Sequence, residues 1–499
     1  MLGSWSVHWV TGSVPAMDGN PILAAWTDLA DREVAVGIGR GDPFMVGPDG
    51  RVDPRLTRFF SRSSFARLAP ATKVSYTNDY RVFFNFLWMR GKVWDATDYD
   101  DLFDFEDWRR RAPHNPARIS GAKWNRELAA LQRLFGWAVS QRLLDANPVQ
   151  VKTVRNRYGD PIEVAQARAK DVRSSNVRWL TPRAYRLWRD VGLRGYTGED
   201  RRDPSWRGRH DDRNAAFADV LFCSGLRRTE AASLLVTELP QATTMDRRYV
   251  DARLASAVAK NGRARTFYLS AQVVADVQTY VATSRRAVVR LAQQTGRYED
   301  LPEIRVLTHQ SGRMGRVLHW KDRRGQLGQA GLDNLDPDER RLLFVTGPDG
   351  IEPLWLWLAQ DGSPSRPHSW EAVFRAGSQR CATMLAGKVT DPPFCTPHMC
   401  RHSFALHMLV ALHHAMDRKF GLTAEERRDY RLLYGDPWRM VKDLLGHASE
   451  QTTRDIYLAP VADLQIRSLL TGDDDPDVAE LLTRIAAASE RIIDREDIA

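Results

Sequence analysis

The spacing of apolar and polar positions predicts helices from about residue 55 onward. In ATKVSYTNDYRVFFNFLWMRG, apolar side chains recur with the period of a helix that buries one face, namely Tyr76, Tyr80, Phe83, Phe84 and Leu87. The stretch AKWNRELAALQRLFGWAVSQRLL repeats this pattern with Trp124, Leu128, Leu131, Phe135 and Val139. The Asn147-Pro148 pair ends it. With YDDLFDFEDWRRR between them, these stretches predict a compact helical domain over residues 56–150.

The segments on either side of this domain lack such a period. Residues 1–55 are rich in Gly, Pro and Asp and contain the turn signals GRGDP and GPDG, which indicates an irregular, mildly acidic extension. It is either an unstructured leader or a small docked element. Residues 151–178 are basic and weakly periodic, and we interpret them as a linker.

A larger second domain is predicted from residue 179. In LTPRAYRLWRDV, Thr181 is placed to cap a helix that starts at Pro182. The stretch NAAFADVLFCSGLRRTEAASLL predicts a helix, a tight turn at Gly225 and a second helix that begins near Arg227 and Glu230. An arginine there can face a phosphate, although a surface ion pair between the two residues is the commoner arrangement.

The next stretch, YVDARLASAVAKNGRARTFYLS, predicts a β-hairpin. The runs on both sides of AKNGRA resemble strands, and Asn261-Gly262 is a strong signal for a two-residue turn. Lys260 lies beside that turn, where a lysine is usually only solvated.

Several candidate ligands and catalytic groups fall in TPHMCRHSFALHML. Thr396 and Pro397 predict a helix start, which places His398 and Arg401 on one side of its first turns. Beyond Ser403 the helix is apolar on nearly all sides, so we expect it to be buried. At about 100° per residue, Cys400 points away from His398, which disfavours a zinc site; the remaining histidines are interpreted as structural.

The last chemical candidates follow in WRMVKDLLGHASEQTTRDIYLAPV. An apolar stripe that includes Val441 and Leu445 predicts a helix ended by Gly446. His447 comes directly after it, and a short helix is expected to carry Tyr457. Taken singly, both residues have ordinary structural explanations.

Composition limits the classes of protein. A chain of 499 residues with 43% hydrophobic residues can form two or three domains, and 72 Lys and Arg against 63 Asp and Glu give a net charge of +9 that suits a polyanion. Four cysteines are too few for a disulfide framework, and the first residues lack a secretory signal. No apolar run reaches the roughly 20 residues of a membrane span. We therefore expect a reduced, cytoplasmic protein without membrane contact.

In chain order, GLRRTE, the hairpin lysine, HMCRH, LGH and TTRDIY resemble the signature of the tyrosine recombinase (phage integrase) family, whose chemical relatives are the type IB topoisomerases. The resemblance implies a mainly α protein with a small antiparallel β-sheet. It implies an all-α core-binding domain over residues 56–150 and an α+β catalytic domain over residues 179–470.

Some segments depart from the compact family pattern. Insertions are expected near residues 285–345, before an expected strand in LWLWLAQDG, and near residues 416–436. Residues 471–499 predict a C-terminal helix with an apolar stripe, which in this family is often exchanged between protomers; packing in cis is the alternative. The stripe is Val478, Leu481, Leu482, Ile485 and Ile492.

The resemblance also implies a role for each candidate residue. Arg227 and Arg401 would clamp the non-bridging oxygens of a DNA phosphodiester, and Tyr457 would attack its phosphorus. The other implied roles are a general base for His398, a hydrogen-bond donor to the phosphate for His447, a proton donor to the leaving 5′ oxygen for Lys260, and support of the site for Glu230. No metal or nucleotide cofactor is required by this scheme.

The implied function is site-specific DNA recombination through a covalent 3′-phosphotyrosine intermediate, as in the integrase or transposase of a mobile element. Implied partners are double-stranded DNA, three further copies of the chain in a tetramer on DNA, and accessory DNA-bending or directionality factors. The alternatives are a type IB topoisomerase-like enzyme, a dimer-resolving recombinase, and a catalytically silent DNA-binding regulator on the same scaffold.

Overall fold

The computed structural model describes residues 3–10, 28, 32, 35, 39, 41–155, 160–171, 177–240, 248–301, 303–414, 436–447, 453–454, 478–487 and 491–494. The chain divides into two units, Met1–Ser174 and Ser175–Ala499. Both are mainly helical with small sheets, as the sequence predicts. Within the described ranges, no helix is long and apolar enough to cross a membrane.

Three of the four described α-helices of unit 1 begin at a side chain that caps them, whereas the helix that begins at Pro70 has none. Asp53 accepts hydrogen bonds from the backbone of Arg55 and Leu56, Asp98 forms a capping box with Asp101, and Ser120 accepts from Lys123. The described elements of unit 1 are β1 (Ser6–Trp9), β2 (Pro43–Val46), α1 (Pro54–Arg62), α2 (Pro70–Met89), α3 (Tyr99–Arg110), α4 (Gly121–Ser140), β3 (Val151–Arg155) and β4 (Pro161–Ala165).

The core of unit 1 is largely aromatic. Phe83 of α2 contacts Phe105 of α3 and Phe135 of α4, with ring centroids 4.9 and 6.0 Å away. The antiparallel ribbon of β1 and β2 extends this core, because Trp5 lies 5.2 Å from the ring of Phe84 and is buried. The described part of the leading segment is thus a docked element, the second of the two alternatives.

The interpretation of residues 151–178 as a plain linker is corrected by the structure. β3 and β4 form an antiparallel hairpin, and the chain beyond it is tied to α4. The indole N–H of Trp124 donates to the carbonyl of Ala167 at 2.8 Å, and Asn125 exchanges two hydrogen bonds with the backbone of Ala169. The hairpin escaped sequence analysis because its strands are mostly exposed and lack an apolar alternation.

Unit 2 contains the remaining elements. Thr181 caps its first helix by accepting from Ala184, as predicted. The described elements are β5 (Trp179–Leu180), α5 (Pro182–Gly192), α6 (Asp211–Ser224), α7 (Arg228–Ala232), β6 (Tyr249–Leu254), β7 (Arg265–Ser270), α8 (Ala271–Tyr280), α9 (Arg286–Gln294), β8 (Arg305–Ser311), β9 (Val317–Asp322), β10 (Leu327–Gly331), α10 (Pro337–Arg340), β11 (Leu343–Gly347), β12 (Gly350–Pro353), α11 (Ser369–Met384), α12 (Pro397–His414), α13 (Pro437–Leu445), α14 (Val478–Ala487) and β13 (Ile492–Ile493).

Helix α12 lies between two apolar clusters of unit 2. Its first turn contributes Met399 and Cys400 to the large cluster formed with α5, α6, α8 and α11. Its later turns, from Phe404 to Val410, pack in a second cluster with α13, α14 and Trp179. The helix is therefore mostly buried over residues 404–410, as its apolar sequence predicts.

The region of the first predicted insertion holds a five-stranded sheet in the order β10-β9-β8-β11-β12. This sheet is mixed rather than antiparallel as expected, because β8 and β11 pair in parallel. The expected strand in LWLWLAQDG is wrong: residues 354–358 are buried but make only isolated bridges, from Leu235 to Trp355 and from Leu358 to Pro364. Its continuous apolar run reflects burial on all sides rather than membership of a sheet. The second insertion lies outside the described residues except for Asp436.

The described C-terminal residues, 478–487 and 491–494, contact α12 and β5. Helix α14 buries Leu482 and Ile485 against α12, whereas Ile492 belongs to β13, which pairs in parallel with β5. The assignment of Ile492 to a helical stripe is therefore wrong, because the helix ends before it and an extended backbone carries it to the same apolar cluster.

Candidate active site

Arg227 follows the turn between α6 and α7. Gly225 makes this turn with a φ of +65°, and a Cβ there would lie 2.3 Å from a ring carbon of Phe404, so glycine is required. The Glu230 carboxylate accepts from the backbone N–H of Arg227 at 2.8 Å and from its Nη1 at 3.0 Å. The i, i+3 pair expected from the sequence is formed, and Glu230 is fully buried.

Lys260 lies on a longer connection than the sequence predicts. β6 and β7 pair as far as Leu254 and Arg265, so residues 255–264 join them and the expected two-residue hairpin turn is wrong. Asn261 and Gly262 do turn the chain with positive φ angles, but within this longer loop. The Lys260 side chain is exposed, and its backbone N–H donates to Glu230 Oε1 at 3.3 Å.

His398 and Arg401 occupy the first turns of α12. Thr396 accepts a hydrogen bond from Met399, which starts the helix where the sequence predicts. His398 is exposed, and its ring lies 4.2 Å from that of His402. Arg401 is only 1% exposed, with Nη1 donating to the carbonyl of Gly225 and Nη2 to that of Leu445, both at 2.6 Å. Arg401 thus joins the Arg227 turn to the end of α13.

His447 follows the end of α13. Gly446 ends this helix with a φ of +65°, and the backbone N–H of His447 donates to the carbonyl of Lys442. His447 Nδ1 shares a 2.9 Å hydrogen bond with the hydroxyl of Thr453. Tyr457 lies outside the described residues.

Burial and neighbouring cations keep three histidines of this region neutral. Burial, followed by the charges of Arg401 and Arg227, lowers the pKa of His447 to about 3. Burial, followed by His398 and Arg401, lowers the pKa of His402 to about 2. His398 keeps an exposed edge, but the partial burial of its ring, followed by the charge of Arg401, also lowers its pKa. A neutral imidazole can accept a proton at one nitrogen and donate from the other.

A cavity of about 620 Å³ brings three of the candidates together. Arg227, Lys260 and His398 line it, whereas Glu230, Arg401 and His447 do not. The other lining residues are Arg228, Thr229, Glu371, Phe374, Arg375, Ser378, Phe394, Cys395, Thr396 and Pro397. Because its charged lining is predominantly cationic, the cavity suits an anion.

Sequence analysis missed Arg265. Its Nη1 and Nη2 donate to the two oxygens of Glu230 at 3.2 and 2.5 Å, and its Nε donates to the carbonyl of Leu444 at 3.2 Å. One signal was present in the sequence: Arg265 shares a strand face with Phe267 and Leu269, which are buried. An arginine on a buried strand face usually has an acidic partner.

The two cysteines of the α12 region face each other. Cys395 Sγ and Cys400 Sγ are buried and lie 3.4 Å apart. No group of three His, Cys, Asp or Glu side chains in the described ranges is arranged to hold a metal ion.

Comparison with known families finds a match within unit 1. Residues 58–142 match the model of the phage integrase N-terminal SAM-like domain. This match, within unit 1, confirms the resemblance to the tyrosine recombinase (phage integrase) family that the motifs of unit 2 indicate. No curated protein matches the chain.

The chain is also similar to solved structures. One is the Tn1549 transposon integrase in complex with a circular intermediate DNA, with 12% identity over 82% of this chain and 97% of that chain and a TM-score of 0.44. Another is the XerH site-specific recombinase bound to palindromic difH substrate, with 13% identity over 83% of this chain and 81% of that chain and a TM-score of 0.40.

Proposed function

We propose that the chain is a site-specific DNA recombinase that cuts and rejoins DNA through a tyrosine–phosphate bond. The observation that carries the proposal is the cavity in which Arg227, Lys260 and His398, from three separate segments, meet. Arg401 connects this cavity to the segment that leads to Tyr457. We further propose that residues 56–150 are a core-binding domain and that residues 179–470 are the catalytic domain.

The cations of the site would stabilise the charge of the transition state. Attack on a DNA phosphodiester adds negative charge to the non-bridging oxygens, and fixed N–H donors lower the free energy of that state. Arg227 lines the cavity, and the carbonyls of Gly225 and Leu445 fix the orientation of the Arg401 guanidinium. Guanidinium groups suit this role because they stay charged and donate parallel bonds.

The proposed reaction needs one nucleophile and two proton transfers. The Tyr457 oxygen forms a bond to phosphorus, its proton goes to the neutral His398, and the bond from phosphorus to the 5′ oxygen breaks. Lys260 gives a proton to that oxygen, while His447 donates a hydrogen bond to the phosphate. Rejoining reverses these steps, so the bond energy is retained in the phosphotyrosine and neither a nucleotide nor a metal ion is consumed.

The proposed partner is double-stranded DNA, recognised as a specific recombination site by four copies of the chain. The net charge of +9 and the cationic cavity support a polyanion as partner. An integrase or transposase of a mobile element is the member of the class that we propose, because the chain is longer than compact resolvases. Accessory bending or directionality factors would act on the same DNA.

A suicide-substrate assay tests the proposal. Nicked DNA from the gene's own flanking sequence is incubated with the protein in EDTA, and a denaturation-resistant protein–DNA band is sought. We expect the band with the unmodified protein and with Tyr249→Phe, a control at an exposed tyrosine of unit 2, but not with Tyr457→Phe. Arg227→Ala should slow band formation by about 10²-fold.

Each other outcome favours a different function. A band that persists in Tyr457→Phe would refute Tyr457 as nucleophile. A gel shift without a band across a library of flanking sequences would favour a silent regulator. Relaxation of supercoiled DNA without sequence preference would favour a topoisomerase-like enzyme.

A further inference from the structure

Arg265 makes three charge-assisted contacts from the first position of β7. Two go to the carboxylate of Glu230 in a forked arrangement, and one goes to the carbonyl of Leu444 in the last turn of α13. Its side chain is 9% exposed, and that of Glu230 is 0% exposed. A forked, buried pair of this kind has little freedom to reorient.

These contacts join three separate parts of the site. Glu230 also accepts from Arg227 and from the backbone N–H of Lys260, so one carboxylate connects α7 with the loop before β7. At the other side of Arg265, the carbonyls of Leu444 and Leu445 have no partner within their own helix, since the last carbonyls of a helix never do. Arg265 donates to the first and Arg401 to the second.

The backbone at the end of α13 lies close to the Arg265 side chain. A Cβ on Gly446 would lie 3.1 Å from Arg265 Nη1 and 3.3 Å from its Cδ, so the backbone passes close to the guanidinium stem. His447 is the next residue. The position of its ring therefore depends on where Arg265 holds the end of α13.

Arg265 also competes with Arg227 for the carboxylate of Glu230. Glu230 makes two hydrogen bonds to the guanidinium of Arg265 but only one to that of Arg227. Without Arg265, the buried carboxylate would need another cation, and Arg227 is the one within reach. Arg227 would then form the forked pair with Glu230 and withdraw from the cavity.

We propose that Arg265 is a positioning residue, which sets the places of Arg227, Lys260 and His447 relative to one another by binding Glu230 and Leu444 together. This inference rests on the proposed function, because it assigns Arg265 an effect on the rate of DNA cleavage. Arg265 does not line the cavity and is not expected to contact the phosphate.

The test compares Arg265→Lys and Arg265→Ala with Arg253→Ala, a control at an exposed arginine of the same hairpin. Thermal unfolding and a gel shift establish that each variant is folded and binds DNA, and the rate of covalent complex formation is then measured on the suicide substrate. We expect Arg265→Lys to keep its affinity and lose about 10²-fold in rate, because one ammonium cannot reproduce the forked contact and because small misplacements of reacting groups are costly. Arg253→Ala should react at the rate of the unmodified protein.

A pH profile separates positioning from simple loss of structure. The groups facing the Glu230 carboxylate are Arg265, Arg227 and the backbone N–H of Lys260. Burial raises the pKa of Glu230, whereas Arg265 lowers it, so removal of Arg265 raises this pKa. The rate of Arg265→Ala should therefore fall as the pH is lowered from 7 to 5, more steeply than the rate of the unmodified protein.

A double variant tests whether Arg265 acts through Glu230. If Arg265 acts by occupying Glu230, then Arg265→Ala combined with Glu230→Gln should lose no more rate than the more damaging single change. The inference would be overturned if the fold losses in rate of the two single variants multiplied in the double variant, or if Arg265→Lys reacted as fast as the unmodified protein. The proposed function would stand in either case. No covalent band from the unmodified protein would overturn both.

Discussion

The charge of Glu230 should contribute a large, pH-dependent part of the stability of unit 2. Burial opposes ionisation of this carboxyl, but the hydrogen bond and charge of Arg265, followed by Arg227, outweigh it and lower its pKa from 4.5 to about 2. Each pKa unit corresponds to about 1.4 kcal/mol, so the ionised carboxylate contributes roughly 3 kcal/mol. Because the pKa is lowered in the folded state, this contribution is complete above about pH 5 and is lost as the pH falls toward 2.

Glu230→Gln keeps the size of the side chain and removes its charge. We expect a loss of about 3 kcal/mol in the free energy of unfolding at pH 7, and a loss of about half that at pH 3, where the unfolded carboxyl is already protonated while the native one is still largely ionised. Urea unfolding is measured for both proteins at each pH, so other carboxyl groups cancel in the comparison. Hydrogen exchange of amides in α7 and β7 then assigns the lost stability to unit 2.

Glu371→Gln is the matched control. Glu371 also pairs with an arginine, Arg228, but its side chain is 58% exposed, so its removal should cost less than about 1 kcal/mol at either pH. An equal loss for Glu230→Gln at pH 7 and pH 3, or a loss no larger than that of the control, would refute the reasoning.

Two further stability predictions concern a turn and a buried ion pair. Gly225→Ala places a Cβ 2.3 Å from Phe404 at a φ of +65°, and we expect the free energy of unfolding, measured with denaturant, to fall by about 3 kcal/mol. Gly387 has a φ of +74° but open space around it, so Gly387→Ala should lower this free energy by only about 1 kcal/mol. Arg109→Met removes a forked partner from Glu127, which is 1% exposed, and should destabilise unit 1 by about 3 kcal/mol; a loss below about 1 kcal/mol would contradict the importance of the pair.

Sequence analysis succeeds in this protein where the signal is local. The turn at Gly225, the cap at Thr396 and the helix end at Gly446 are each predicted from adjacent residues, and each lies within two residues of a candidate for catalysis. Turns, helix caps and helix ends depend on backbone sterics and on unpaired backbone groups, so a few consecutive residues are enough to predict them.

Contacts between distant segments could not be predicted in the same way. The partners of Arg265 lie 35 and 179 positions away, and Arg401 donates to a carbonyl 176 positions away. The β3–β4 hairpin was missed for a different reason, since its exposed strands show little alternation of apolar residues. The roles of the candidate residues depend on their resemblance to a known family, and the proposed experiments test them.

Because β5 pairs with β13, this part of unit 2 can form only after residues 492–493 have been synthesised. Thr181 and Asp494, joined by a 2.5 Å hydrogen bond, are 313 positions apart, so a ribosome delivers the second roughly 15 to 60 s after the first. Until then, α14 and β13 cannot cover the apolar side of α12, the helix that carries His398 and Arg401. The apolar side of α12 is therefore among the last parts of the described fold to be covered during synthesis.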